Sequence, residues 1–306
     1  MRRMLRTLCL AAIFSPCAAF ADDMEQGIAT LWEVLWHQSG TPTRVVRWEG
    51  DIRVRIFGID LPAHREHTLQ ALRAVTSEAG IRLIDVSDQP DAQKLANLNV
   101  EIRPDNALED VQPCVTFLDF KTETRIDSAT VQMRSRDAWR CAYHEAMHVM
   151  GVRGHPAGKT VLSYFPWKVD GLLPLDKVML RAWYSPRMVA GMTPFESLPV
   201  LADELVATMP DRAAATQVRD RFFSSTIEQM HAYADGKGDI PVVVKRSGKA
   251  TEDGIRFGRS EMSFFLGVAY QEGATVGTDP GQAVRWFERA ASAGNRRAQA
   301  RLGAFR

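Results

Sequence analysis

Apolar and polar side chains alternate in short runs through much of the first half of the chain, and turn-forming residues separate the runs. Residues 43 to 58 (TRVVRWEGDIRVRIFG) alternate on both sides of Glu49-Gly50. That pattern predicts two half-buried strands joined by a turn. Pro62 opens a helical stretch with Leu69, Leu72 and Val75 on one face and Gly80 after its end. Strand-like runs follow at Ile81 to Val86, Leu98 to Ile102 and Cys114 to Phe120, and Asp127 to Met133 alternates again. A helix from about Ala138 to Met150 comes next. This order of elements predicts an α+β fold with a mixed sheet. Residues 196–222 are polar and helix-friendly, punctuated by Pro199 and Pro210, and read as a helical connector to a C-terminal segment of different character.

The N-terminus has its own pattern. Arg2, Arg3 and Arg6 precede an apolar run from Leu8 to Phe14, and Ala19-Phe20-Ala21 supplies a small-x-small cleavage site. Residues 1–21 therefore read as a secretory signal peptide, since the apolar run is too short to span a bilayer. No other stretch is apolar for long enough to cross one, so an exported protein, periplasmic or extracellular, is expected without a transmembrane segment. Composition adds little. With 306 residues, 45% of them hydrophobic, and 38 basic against 37 acidic side chains, one large or two modest domains are possible. The near balance of charge gives no electrostatic reason to expect nucleic acid.

Chemistry enters at His144-Glu145-Ala146-Met147-His148. Two histidines four apart project from adjacent turns of one helix face, so both imidazoles can reach one ion. Glu145 lies beside that face, placed to take a proton from a water that the ion polarises. Zn²⁺ is the expected ion; the competing reading is a buried helix whose histidines only hydrogen-bond to neighbours. His155 follows Gly151 and Gly154 as a candidate third ligand. Once the signal is removed, Cys114 and Cys141 are the remaining cysteines. In an oxidising compartment they would form one disulfide. Cys141 also lies three before His144 and seven before His148, on their stripe, so a role as ligand stays open. His64 and His67, beside Arg65 and Glu66, read as a solvated helix face.

The run from His144 through Gly151 to His155 resembles the metzincin class of zinc metallopeptidases, whose pattern is His-Glu-x-x-His-x-x-Gly-x-x-His/Asp. Here Gly154 occupies the expected third-ligand position, and His155 sits one residue later. Thr160-Val161-Leu162-Ser163-Tyr164 stands where metzincins carry their Ser-x-Met-x-Tyr turn, with Leu162 for methionine as the apolar floor. Tyr164 matches the tyrosine that approaches the metal or the oxyanion in some metzincins; as a bare residue it reads equally as a core aromatic. Leu173-Pro174-Leu175-Asp176-Lys177, Leu180-Arg181-Ala182-Trp183-Tyr184-Ser185-Pro186-Arg187 and Gly191-Met192 resemble domain-of-unknown-function family 2927, which implies a secreted protein with a zincin-like core. The resemblance implies a zincin-like domain over residues 22–195 with an active-site helix.

Residues 223–306 form the last segment. Leu266-Gly267, Tyr270, Gly273, Ala283, Trp286, Ala290-Ala291, Gly294 and Ala298 lead to Leu302-Gly303, which restates the first Leu-Gly. This pattern resembles a Sel1-like, tetratricopeptide-related α/α repeat, in which small residues let paired helices approach. One or two such repeats do not stand alone, so the segment is expected to pack on the first domain or on a protein partner. Two functions follow. The first is a secreted zinc metallopeptidase-like hydrolase of protein or peptide substrates, with His144, His148 and His155 as ligands and Glu145 and Tyr164 as catalytic groups. The second is a non-enzymatic periplasmic adaptor that works through its repeat and has a structural or vestigial metal site.

Overall fold

The computed structural model describes residues 16–36, 44–163, 170–245 and 252–304. Its first element is helix α1 (Pro16–Val34), where Met24, Ile28 and Leu31 recur at helical spacing and are fully buried. Strand β1 (Ile52–Gly58), helix α2 (Leu61–Glu78), strand β2 (Leu83–Asp85) and the one-turn helix α3 (Ala92–Leu95) follow. Strands β3 (Leu98–Arg103), β4 (Cys114–Phe120) and β5 (Ile126–Arg134) lead into helix α4 (Ala138–Val149). The five strands form one mixed sheet in the order β2-β1-β3-β5-β4. All neighbours are parallel except β4, which runs antiparallel to β5 at the edge.

Along β1 and β3, buried residues (Ile52, Val54, Ile56; Leu98, Val100, Ile102) alternate with half-buried ones. One face is therefore packed more fully than the other. Helix α2 packs against α4 and against β1 and β2, whereas α4 packs against β4 and β5. The expected strands, the helix after Pro62 and the helix that carries the histidines all occur. The hairpin around Glu49-Gly50 does not. Val45, Val46 and Trp48 are all buried, so 44–48 is an enclosed extended segment and not a half-exposed strand. It makes one parallel bridge, Arg47 to Arg125, and exchanges backbone bonds with Gly191 and Met192. Residue 43 lies outside the described residues.

The second half is helical: α5 (Pro174–Trp183), α6 (Pro194–Thr208), α7 (Arg212–Ala234), α8 (Val242–Lys245), α9 (Glu252–Glu272), α10 (Pro280–Ser292) and α11 (Arg296–Ala304). The stretch 196–222 is helical, but its first part is core: Leu198, Leu201 and Ala202 of α6 are fully buried, and α6 packs on α1, α5 and α7. In the C-terminal segment α9 and α10 are in close contact. A Cβ at Gly267 would stand 2.5 Å from the Phe287 ring. Helix α9 rests on α6 and α7, Arg44 lies 5.5 Å over the Phe264 ring, and Arg297 pairs with Glu123 at 3.1 Å. The helices thus pack onto the sheet-bearing part. Among the described residues no helix is long and apolar enough to cross a membrane.

Candidate metal centre

Helix α4 is anchored on its apolar positions, with Ala142, Ala146, Met147 and Val149 buried. Trp139 is 46% exposed; it stacks on His67 and donates from Nε1 to Asp170 at 3.0 Å. The helix stops at Gly151, whose φ of 86° is left-handed, and a Cβ there would stand 2.2 Å from the Val46 carbonyl oxygen. Trp48 seals the same end by donating from Nε1 to the Val149 carbonyl at 2.8 Å, and the Tyr184 hydroxyl donates to the Met150 carbonyl at 2.9 Å.

The chain then returns to bring a third imidazole to the first two. His148 Nε2 lies 3.1 Å from His144 Nε2 and 3.0 Å from His155 Nε2. His144 Nδ1 meets the Val161 carbonyl at 2.9 Å, and His148 Nδ1 meets the Val152 carbonyl at 2.8 Å. A carbonyl can only accept, so each Nδ1 carries the proton and each Nε2 presents a lone pair. Two lone pairs held this close repel unless a cation lies between them. Nitrogen ligands about 2.1 Å from a tetrahedral zinc stand about 3.4 Å apart, which is close to the spacing seen. The three histidines could therefore hold a metal ion. Burial lowers the pKa of both His144 and His148, and for His148 the neighbouring histidine charges add to the effect. Both shifts favour the neutral, ligating imidazole.

The one-residue offset of His155 has a steric cause. Gly154 lies against the end of α1, where a Cβ would stand 2.1 Å from the Val34 carbonyl oxygen. No side chain fits at 154, so the third imidazole can only come from the next position. Two residues further on, the Ala157 amide donates to Glu33 of α1 at 2.7 Å.

Glu145 is buried beside the cluster, and one carboxylate oxygen accepts from the Thr116 hydroxyl of β4 at 2.6 Å. Burial raises its pKa to about 7 despite that bond. Cys114 and Cys141 form a disulfide, which ties β4 to α4 and removes Cys141 from the possible ligands. Leu162 is fully buried beneath the turn that supplies the Val161 carbonyl. Tyr164 lies outside the described residues. His64 and His67 are not a solvated face. His67 is buried on Trp139 with its Nε2 3.1 Å from the Trp139 carbonyl, and His64 meets Ser135 at 2.9 Å.

Two contributors escape a motif reading. Thr116 is one alternating residue of a strand, and only the pairing of β4 beside α4 gives it a role. Asp176 is fully buried and accepts from the amides of Val161, at 3.2 Å, and Leu173, at 2.8 Å. It fixes the turn whose carbonyl orients His144, and burial raises its pKa to about 6 against those bonds. Its sequence signal is a helix start, with Pro174 at the first turn and an acid two residues later.

A cleft of about 1010 Å³ opens over the three histidines and Glu145, and every residue of β4 lines it. Comparison with protein-family models, with curated proteins and with solved structures finds no match.

Proposed function

We propose that this protein is an exported zinc-dependent hydrolase of peptide bonds, with a metzincin-like centre. The convergence of three Nε2 atoms beside Glu145, in a cleft walled by a sheet edge, carries the reading. Imidazole donors suit zinc, which when bound supplies Lewis acidity and a more acidic water. His144, His148 and His155 would hold it, and no fourth acidic, thiol or imidazole ligand joins them among the described residues. That leaves room for water, as a catalytic site requires.

The rest is work for the chain's own groups. Glu145 keeps one oxygen on Thr116 and has the other for the proton of the attacking water, which it returns to the leaving amine. Among the described residues strand β4 has β5 on one side and an unpaired edge on the other, so an extended peptide can pair with it. Phe117 and Phe120 are exposed on this strand and offer apolar contacts to such a peptide.

Glu145→Gln tests the mechanism. Peptide cleavage should fall by about 10²–10⁴-fold while bound zinc, measured by elemental analysis, stays at one ion per chain. Undiminished cleavage would sink the mechanism. Bound zinc in a native chain that cleaves no member of a peptide library would favour the non-enzymatic adaptor.

A further inference from the structure

Two arginines line the metal cleft, and their circumstances differ. Arg140 is held by Asp137 at 2.7 Å. Arg153 has no ion pair or hydrogen bond among the described residues, although it is half-buried. The cleft carboxylates are engaged elsewhere: Glu145 with Thr116, Asp110 with Arg134 and Arg136, and Asp119 with Ser128. A partly desolvated guanidinium without a counter-charge is costly to keep.

Its backbone is fixed on both sides. The Val152 carbonyl engages His148 Nδ1, and Gly154 abuts the Val34 carbonyl. The guanidinium is therefore presented from an anchored segment, as a recognition group needs to be. A guanidinium is a planar fork of donors that matches a carboxylate in two parallel bonds.

We propose that Arg153 anchors a carboxylate of the bound peptide, so that the cleft selects anionic substrates. The word substrate here rests on the hydrolase reading, whereas the carboxylate preference is a binding property that can be measured without turnover. The carboxylate has two sources, a free peptide C-terminus or an acidic side chain.

The test uses zinc-loaded full-length protein carrying Glu145→Gln, with peptide binding followed by calorimetry. One pair of probes is N-acetyl-trialanine and its C-terminal amide. The other is an amidated N-acetyl tripeptide with a central glutamate, compared with the same peptide carrying glutamine. The carboxylate member of at least one pair should bind about tenfold tighter or more. The pair that shows the preference identifies the source. Arg153→Ala should erase the preference at unchanged zinc content, and Arg153→Lys should keep part of it.

Equal or absent binding within both pairs, in zinc-loaded Glu145→Gln protein with Arg153 intact, overturns the proposal whether or not the Arg153 variants fold. So does a preference that survives Arg153→Ala in zinc-loaded protein. Zinc-dependent cleavage of the same peptides by the unmutated protein is scored separately. A carboxylate preference without cleavage supports Arg153 and counts against the hydrolase reading alone.

Discussion

The sheet-bearing half and the C-terminal helices bury different kinds of side chain. Among the described residues, the buried acidic, guanidinium and imidazole groups His67, Arg134, Asp137, Glu145 and Asp176 all precede α5's second turn. Each has a built partner: Trp139 for His67, Asp137 and Asp110 for Arg134, Thr116 for Glu145, and two backbone amides for Asp176. From α9 onward the buried side chains are the aromatics Phe264, Phe265, Trp286 and Phe287, the aliphatics Met262, Leu266 and Val268, alanines, and a few small polar residues such as Ser263 and Asn295. Burying a charge is tolerated only where partners are arranged for it. The first half has made those arrangements around a cleft, whereas the second has optimised apolar packing. On the proposed function, chemistry falls to the first half and support to the second.

Substitutions can break that division, and the loss of turnover in Glu145→Gln is the largest effect it predicts. Next is Phe287→Ala, which empties a fully buried site between α9 and α10. It should cost about 3–5 kcal/mol in denaturant unfolding and leave zinc affinity unchanged. A parallel fall in zinc affinity would show that the helices also shape the metal centre. Replacing Cys114 and Cys141 together by serine releases a closure of 27 residues between β4 and α4. That should cost roughly 3–4 kcal/mol in the same measurement.

The smallest effect concerns Asp176. Its folded pKa of about 6 lies above the 3.8 of a freely solvated aspartate, so the folded chain keeps this proton where the unfolded chain has lost it. Its contribution is therefore full below pH 4 and is lost as pH rises through 6, on the order of 3 kcal/mol in all. Asp176→Asn should flatten unfolding midpoints across that window. The same variant should weaken zinc binding by about tenfold at pH 7, because the Val161 carbonyl is held less firmly against His144.

How much of this was legible from sequence depended on the range of the interaction. Alternating and strand-like runs located all five strands of the sheet, and the spacing of His144, Glu145 and His148 placed three side chains on one buried helix. Both are local properties. The cysteine pair was legible because few partners existed. Residues 44–48 misled because alternation reports facing, not pairing, and Trp48 is buried by the end of α4 some 100 residues away. His67 misled for the same reason, since its stacking partner Trp139 belongs to another helix. Arg153 carries no sequence signal: a basic residue beside a glycine reads as an ordinary solvated loop. Helix α1 had a readable stripe in Met24, Ile28, Leu31 and Leu35, but nothing in that stripe connects it to a metal ligand.

That connection bears on the order in which the centre is assembled. His144 and His148 become neighbours as soon as one turn of α4 forms. His155 is placed by a loop that lies on α1, with Gly154 against Val34 and the Ala157 amide on Glu33, a contact spanning 124 residues. Contacts of such long range form late in folding. A chain shortened past Val34 would keep the motif and lose the surface that sets its third ligand. Tight metal retention would then report docking of the first helix, and the ion would serve as a seal on a finished fold.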